Sequence, residues 1–503
     1  MSASAYADLS NRLAEIADLT RAAELLFWDE RTKMPGGGAG PRSEQLATLA
    51  GFIHERMVAD DLGKLLESLE PWGAEQPYDS DEASTIRLAL RRWRKARRVP
   101  TALAAEIAGA ESVAENVWVE ARAQSDFPAL LPHLRTLIDL KRRLIGCFED
   151  FEHPYDVLLD DFEPGMTVDQ VRPVLEELRD GLADLLERVS GSSVEPDDSC
   201  LHGKFDLDRQ RALGHAICEL MPLRDSGWRL DETAHPFASA MAPSDVRLTT
   251  RYEPNFIGTA IWSIVHEAGH GIYESGMPDA LRRNPIGNPP SLGLHESQSR
   301  LWENWVGRGR PFLHRLAPLL AEHFPDAFGD VDGEGLYRAA NAVKRSLIRT
   351  EADEVTYNLH VVIRFELELE IFEDRLALED LPAAWNDRYA TYLGLDVPDD
   401  AHGVLQDVHW SSGSFGYFPT YALGNVVAAQ LWNRARAELP SLDGQLEAGE
   451  LEPLRSWLDD RLYSLAGRFE PMETIERATG ESLDVKPLLA HLEHKYGELY
   501  ELG

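Results

Sequence analysis

Apolar residues recur every three or four positions along most of the 503-residue chain, the spacing of a buried helical stripe. It predicts helices over 4–29, 43–70, 81–98, 101–124, 168–189, 207–221, 333–378 and 452–465. Period-two alternation is scarce and concentrates in 235–252. There Val246, Leu248 and Thr250 alternate with Asp245, Arg247, Thr249 and Arg251, and Ala242-Pro243-Ser244 can turn a preceding extended segment into the strand. A short hairpin is expected, with an exposed edge able to pair with an extended peptide backbone. No fixed-period repeat or low-complexity linker divides the chain, and the seams at 71–82 and 190–199 are weak. The expected architecture is mainly α, a single large helical domain over 1–503 with a small hairpin or sheet ahead of a further helix at 255–277.

Composition narrows the class. A hydrophobic content of 44% with 27% charged residues is that of a soluble globular protein, and no apolar run reaches the length of a membrane span. The N-terminus lacks a basic start followed by an apolar core, so a cytoplasmic protein is expected. The three cysteines, Cys147, Cys200 and Cys218, have no CxxC spacing, which argues against a disulfide framework or a cysteine-built metal site. A net charge of -36 disfavours nucleic acid as a partner. The run RRWRKARR at 91–98 reads as the basic face of a surface helix ending before Pro100.

Candidate chemistry begins in 255–277, where Ile257, Ile261, Ile264, Val265, Ala268 and Ile272 mark a buried helical stripe. Within it HEAGH at 266–270 matches HExxH. Two histidines four apart share one helix face and can reach one ion, and Glu267 lies beside it as a base for water. Gly269 and Gly271 each cost a helix about 1 kcal/mol relative to Ala, which suggests close approach of another backbone or a substrate. A catalytic zinc takes three protein ligands and keeps one position for water. The candidates for the third are Glu274, His295, Glu296 and Glu303. Glu274 lies about 12 Å along the axis from His266 and suits a supporting role. The other three fall in 294–307, a second predicted helix after the Pro- and Gly-rich loop 285–293. Two His with one Glu is a familiar zinc set, which favours Glu296, but spacing alone leaves the alternatives open.

Several further blocks accompany this motif: FWDERTKMPGGGAGPRSEQLATLAG at 27–51, YDVLLDDFEPGMT at 155–167, HPF at 235–237, DVRLT at 245–249, HESQS at 295–299, IRTEAD at 348–353 and GVLQDVHW at 403–410. In order and spacing the chain resembles, nearly end to end, the carboxypeptidase Taq family of zinc metallocarboxypeptidases. The resemblance implies Glu296 as third ligand, one Zn2+ per chain with Co2+ able to substitute, and a helical fold with a deep substrate groove. In that fold an N-terminal helical part, about 1–200, covers the groove and a catalytic part spans about 201–503. It also implies a homodimer acting on peptides with a free C-terminus.

A carboxypeptidase must recognise a terminal carboxylate, a task suited to the always-charged fork of arginine. Arg349 in IRTEAD is the first candidate, and Arg247 in DVRLT the second, with Asp245 or Asp353 as alternative partners for it. His409, Tyr417 and Tyr421 lie in the Gly-rich stretch 409–421. His409 and Tyr421 are expected at the substrate carbonyl and oxyanion, and Tyr417 along the groove wall. His235 is a candidate for substrate-backbone contact or for orienting the hairpin. The alternatives are an endo-acting oligopeptidase on the same scaffold and a non-catalytic helical protein that keeps metal for structure.

Overall fold

The computed structural model describes residues 2–224 and 226–502. Helix dominates, with 21 α-helices against three strands among the described residues, as the prevailing 3.6-residue periodicity dictates. The helix expected at 255–277 is Gly258–Gly276. The one expected at 294–307 begins at Leu292, runs to Arg300 and continues to Gly307 in wider π turns.

Three expected helices have different extents. The stretch 43–70 divides into Ala39–Met57 and Asp60–Ala74, the second opening on Asp60 and Asp61 where negative charge favours a helix N-terminus. The helix at 452–465 stops at Arg461, followed by a tighter turn, Tyr463–Leu465. The largest departure is 333–378, which breaks into Gly333–Ala340, a connection containing the short turn Arg349–Glu351, and Tyr357–Phe372. Asp353 stabilises the break. Its carboxylate accepts bonds from the backbone N–H groups of Lys344 (3.0 Å), Val355 (2.9 Å) and Thr356 (3.0 Å) and from the Thr356 hydroxyl (2.8 Å). Such bonds offer the backbone an alternative to helix, and Arg349 consequently sits on a connection.

The sheet has one strand beyond the expected hairpin. Trp228–Glu232 (β1) pairs in parallel with Asp245–Thr250 (β3), and Ala238–Ala242 (β2) pairs antiparallel on the other side of β3. β3 is therefore central, and β1 and β2 are the outer strands.

A main apolar core extends from Ala114 to Tyr500, and a smaller one, including Leu9, Leu62, Leu66 and Ile86, joins the N-terminal helices. The basic run closes the helix Asp81–Arg98. Its charges face acids: Arg91 and Lys95 reach Asp160 at 2.6 and 2.5 Å, and Arg94 reaches Glu70 at 2.8 Å. The three cysteines are free. No helix among the described residues is long and apolar enough to cross a membrane.

Candidate metal centre and carboxylate clamp

The histidine helix Gly258–Gly276 is held on both sides by close packing at its glycines. A Cβ on Gly269 would lie 2.7 Å from the backbone oxygen of Gln298, and one on Gly271 would lie 2.8 Å from the Val246 side chain. Real Cβ atoms do not tolerate such distances, so the two glycines admit the glutamate helix Leu292–Arg300 on one side and β3 on the other. This contact sets which residue of the glutamate helix meets the histidines.

That residue is Glu296. Its Oε2 lies 3.7 Å from His266 Nε2 and 3.5 Å from His270 Nε2, and the ligand atoms of the three all fall within 4.8 Å of one another. Tetrahedral bonds of about 2.0–2.1 Å place ligand atoms roughly 3.3–3.4 Å apart, so the cluster fits a small divalent cation with little adjustment. The other carboxylate oxygen, Oε1, is engaged by Arg300 Nε at 2.7 Å, which leaves Oε2 as the atom directed at the histidines. Arg300 is four residues on from Glu296, a neighbour on the same helix face.

The remaining acids support the histidines. Glu303 lies 3.0 Å from His266 Nδ1, on the side of the ring away from Glu296, and accepts from Arg308 Nη2 at 3.1 Å. Burial opposes its charge, yet His266, Arg300 and Arg308 hold its carboxyl down to about 2. A proton on His266 Nδ1 directed at Glu303 makes Nε2 the free lone pair. Glu274 pairs with His295 Nε2 at 3.1 Å, and the His295 ring stacks on His270 with centroids 4.2 Å apart and planes at 14°. Burial, with His295 adding to it, pushes His270 down to about 3, so the imidazole is neutral.

Glu267 is buried, and its Oε2 has no hydrogen-bond partner. Burial pushes its carboxyl up to about 7, with His266 opposing. An unpartnered carboxylate beside three convergent ligand atoms is arranged to accept a proton.

A second polar cluster flanks the first. Tyr357 lies 4.2 Å beneath the Arg300 guanidinium, and its hydroxyl accepts from Arg349 Nη1 at 3.2 Å. Arg349 is buried and donates to Asp407 Oδ1 through Nε at 3.1 Å and Nη2 at 2.9 Å; Arg364 takes the other oxygen, Oδ2, at 2.8 Å. Against the cost of burial, these two guanidinia hold Asp407 well below the usual carboxylate range. Tyr421 packs 4.8 Å from the Arg349 guanidinium, and its hydroxyl lies 3.1 Å from His409 Nε2. Burial is the main force pushing His409 down to about 4. The Tyr417 ring lies 5.1 Å from His409 and 5.2 Å from Tyr421. The structure thus brings Arg349, His409, Tyr417 and Tyr421 together.

The other two expected residues are placed differently. Arg247, on β3, is bidentate to its neighbour Asp245 at 3.1 and 3.0 Å and lies 4.4 Å from the Trp28 ring. Of the two partners expected for it, Asp245 is the one taken. His235 is exposed on the segment before β2; burial of part of its ring and the charges of Arg251, Arg31 and Arg122 lower its pKa.

Asp407, Arg364, Tyr357 and Arg300 were not expected from sequence in these roles. Arg300 carried a local signal, its four-residue spacing from Glu296, and Asp407 stood inside the GVLQDVHW block. Arg364 and Tyr357 read as ordinary positions of a buried helix.

The model of the carboxypeptidase Taq (M32) metallopeptidases matches residues 8–496. Thermostable carboxypeptidase 1 of Thermus thermophilus is 42% identical over 99% of both chains, and carboxypeptidase 1 of Bacillus subtilis is 38% identical over 97% of both. Among solved structures, the M32 carboxypeptidase of Deinococcus radiodurans R1 superposes with a TM-score of 0.95 at 38% identity, covering 99% of this chain and 100% of that one.

Proposed function

From the premise that this chain belongs to the carboxypeptidase Taq (M32) metallopeptidase family, we propose that it is a zinc enzyme that removes single C-terminal amino acids from peptides, with Glu267 as general base. The observation that carries this reading is the juxtaposition of a three-ligand cluster with a buried pair of arginines sharing one carboxylate. Two guanidinia on Asp407 leave one positive charge uncompensated, and the terminal carboxylate of a peptide supplies the missing anion.

His266, His270 and Glu296 would hold the ion, which when bound supplies Lewis acidity toward water and the scissile carbonyl. Arg349 receives the terminal carboxylate and so sets which peptide bond lies beside Glu267. Glu267 takes the proton of the attacking water on its unpartnered oxygen and passes it to the leaving amine. The Tyr421 hydroxyl, or His409 beside it, donates to the developing oxyanion. The family resemblance further supports Co2+ as a substitute for zinc and a homodimer, and the sparse cysteines without CxxC spacing support a cytoplasmic setting.

A peptide and its C-terminally amidated twin test the reading. The free acid is expected to be cleaved at least about 100-fold faster in kcat/KM, and Arg349→Met should bring the two close together. Equal cleavage of both by the unaltered enzyme sinks the exopeptidase assignment.

A further inference from the structure

We propose that Phe162, Leu292 and Tyr417 form an apolar subsite for the side chain on the N-terminal side of the scissile bond, so that peptides with an aromatic or large aliphatic penultimate residue are preferred. The inference rests on the carboxypeptidase reading, which sets the direction of the bound peptide.

Leu292 is a large apolar side chain left 37% exposed. It lies four residues before Glu296, on the same helix face and about 6 Å along the axis from that ligand position. Two consecutive bonds tie Phe162 beside it: the Phe162 carbonyl accepts from Leu292 N–H at 3.0 Å, and the Glu163 carboxyl accepts from Gly293 N–H. Half-buried Phe162 turns its ring edge-on to Tyr417, with centroids 4.9 Å apart at 65°. Tyr417 adjoins Tyr421, which packs on Arg349. An unbroken set of contacts thus connects Arg349 through Tyr421 and Tyr417 to Phe162, whose backbone is bonded to Leu292. A peptide whose carboxylate is at Arg349 carries its penultimate side chain toward Phe162 and Leu292.

The chemistry of this end is one-sided. The adjacent carboxylate, Asp161, is paired with Lys95 at 2.7 Å. An apolar side chain gains by covering Phe162 and Leu292, whereas an aspartate would lose hydration against them.

Steady-state kinetics of the metal-loaded enzyme on N-blocked dipeptides ending in the same alanine, with Phe, Ala or Asp before it, test the subsite. We expect kcat/KM to fall about tenfold from Phe to Ala and further to Asp. Leu292→Asp and Phe162→Ser should each reduce the Phe-to-Asp ratio by about fivefold or more, while Val113→Asp, on the exposed face of the helix Thr101–Gln124, leaves that ratio unchanged. An enzyme indifferent to the penultimate residue, or a ratio preserved in both subsite variants, overturns the proposal. Amidated dipeptides run in parallel separate the two layers. Equal cleavage of acids and amides overturns the carboxypeptidase reading and the subsite with it, whereas acid-specific cleavage without penultimate preference overturns the subsite alone.

Discussion

The metal centre and the carboxylate clamp are both buried polar clusters, yet they are finished to different degrees. At the clamp every Asp407 oxygen has an arginine, and the excess is positive. At the metal centre Glu267 Oε2 and His270 Nδ1 have no partner, and three ligand atoms lie within 4.8 Å of one another. Unpaired buried polar groups are costly. Under the proposed function, the clamp serves mainly to hold its shape with one charge to spare, and the metal centre to hold an ion and move a proton. Removing a group should damage stability at the first and chemistry at the second.

The largest effect is expected at the base. Glu267→Gln should lower kcat by about 10²–10⁴ while bound metal, measured on the purified protein, stays at one equivalent. Loss of the metal together with activity would place Glu267 in the ligand set and blur the contrast. Asp407→Asn should cost about 3–5 kcal/mol, seen as a fall in Tm by calorimetry, because two buried guanidinia lose their anion. An unchanged Tm would mean that water reaches this cluster. Glu303→Gln should weaken metal binding by about 10–100-fold in a chelator competition, since Glu303 orients His266 from outside the ligand set. The metal-saturated variant should recover most of its turnover, which a true ligand would not.

A separate, pH-dependent effect concerns Glu163, which ties its turn to the glutamate helix. Burial pushes its carboxyl up to about 8, against the bonds from Ser291 and Gly293. A carboxyl raised on folding holds its proton in the native state where the unfolded chain has already lost it. Its contribution is fully present below the unfolded value near 4.5 and is lost as pH rises through about 8. Glu163→Gln should therefore flatten the decline of Tm between pH 5 and 8. A decline as steep as that of the unaltered protein would exclude Glu163 as its source.

How much of this was legible in the sequence differs between the two regions. The histidine pair and Glu267 follow from one helix, because a four-residue spacing fixes their relation wherever that helix packs. The clamp draws on the connection around Arg349, the helix Tyr357–Phe372 and the 403–421 segment, so Arg349 was nameable but its partners were not. Periodicity also ran 333–378 together as one helix, since it registers apolar spacing and not the bonds by which Asp353 holds the chain out of helix. β1 was missed because five residues alternate too briefly to register.

What the sequence determined alone is what a single helical turn can encode: a mainly α chain, the shared face of His266 and His270, and Glu267 beside it. The choice among His295, Glu296 and Glu303 belonged to the tertiary structure, Glu274 being already set apart by its distance along the histidine helix. The close approach of the two helix backbones at Gly269 puts Glu296 against the histidine nitrogens, Glu303 behind His266, and His295 against Glu274. Pairing across helices depends on crossing geometry, which no local spacing contains.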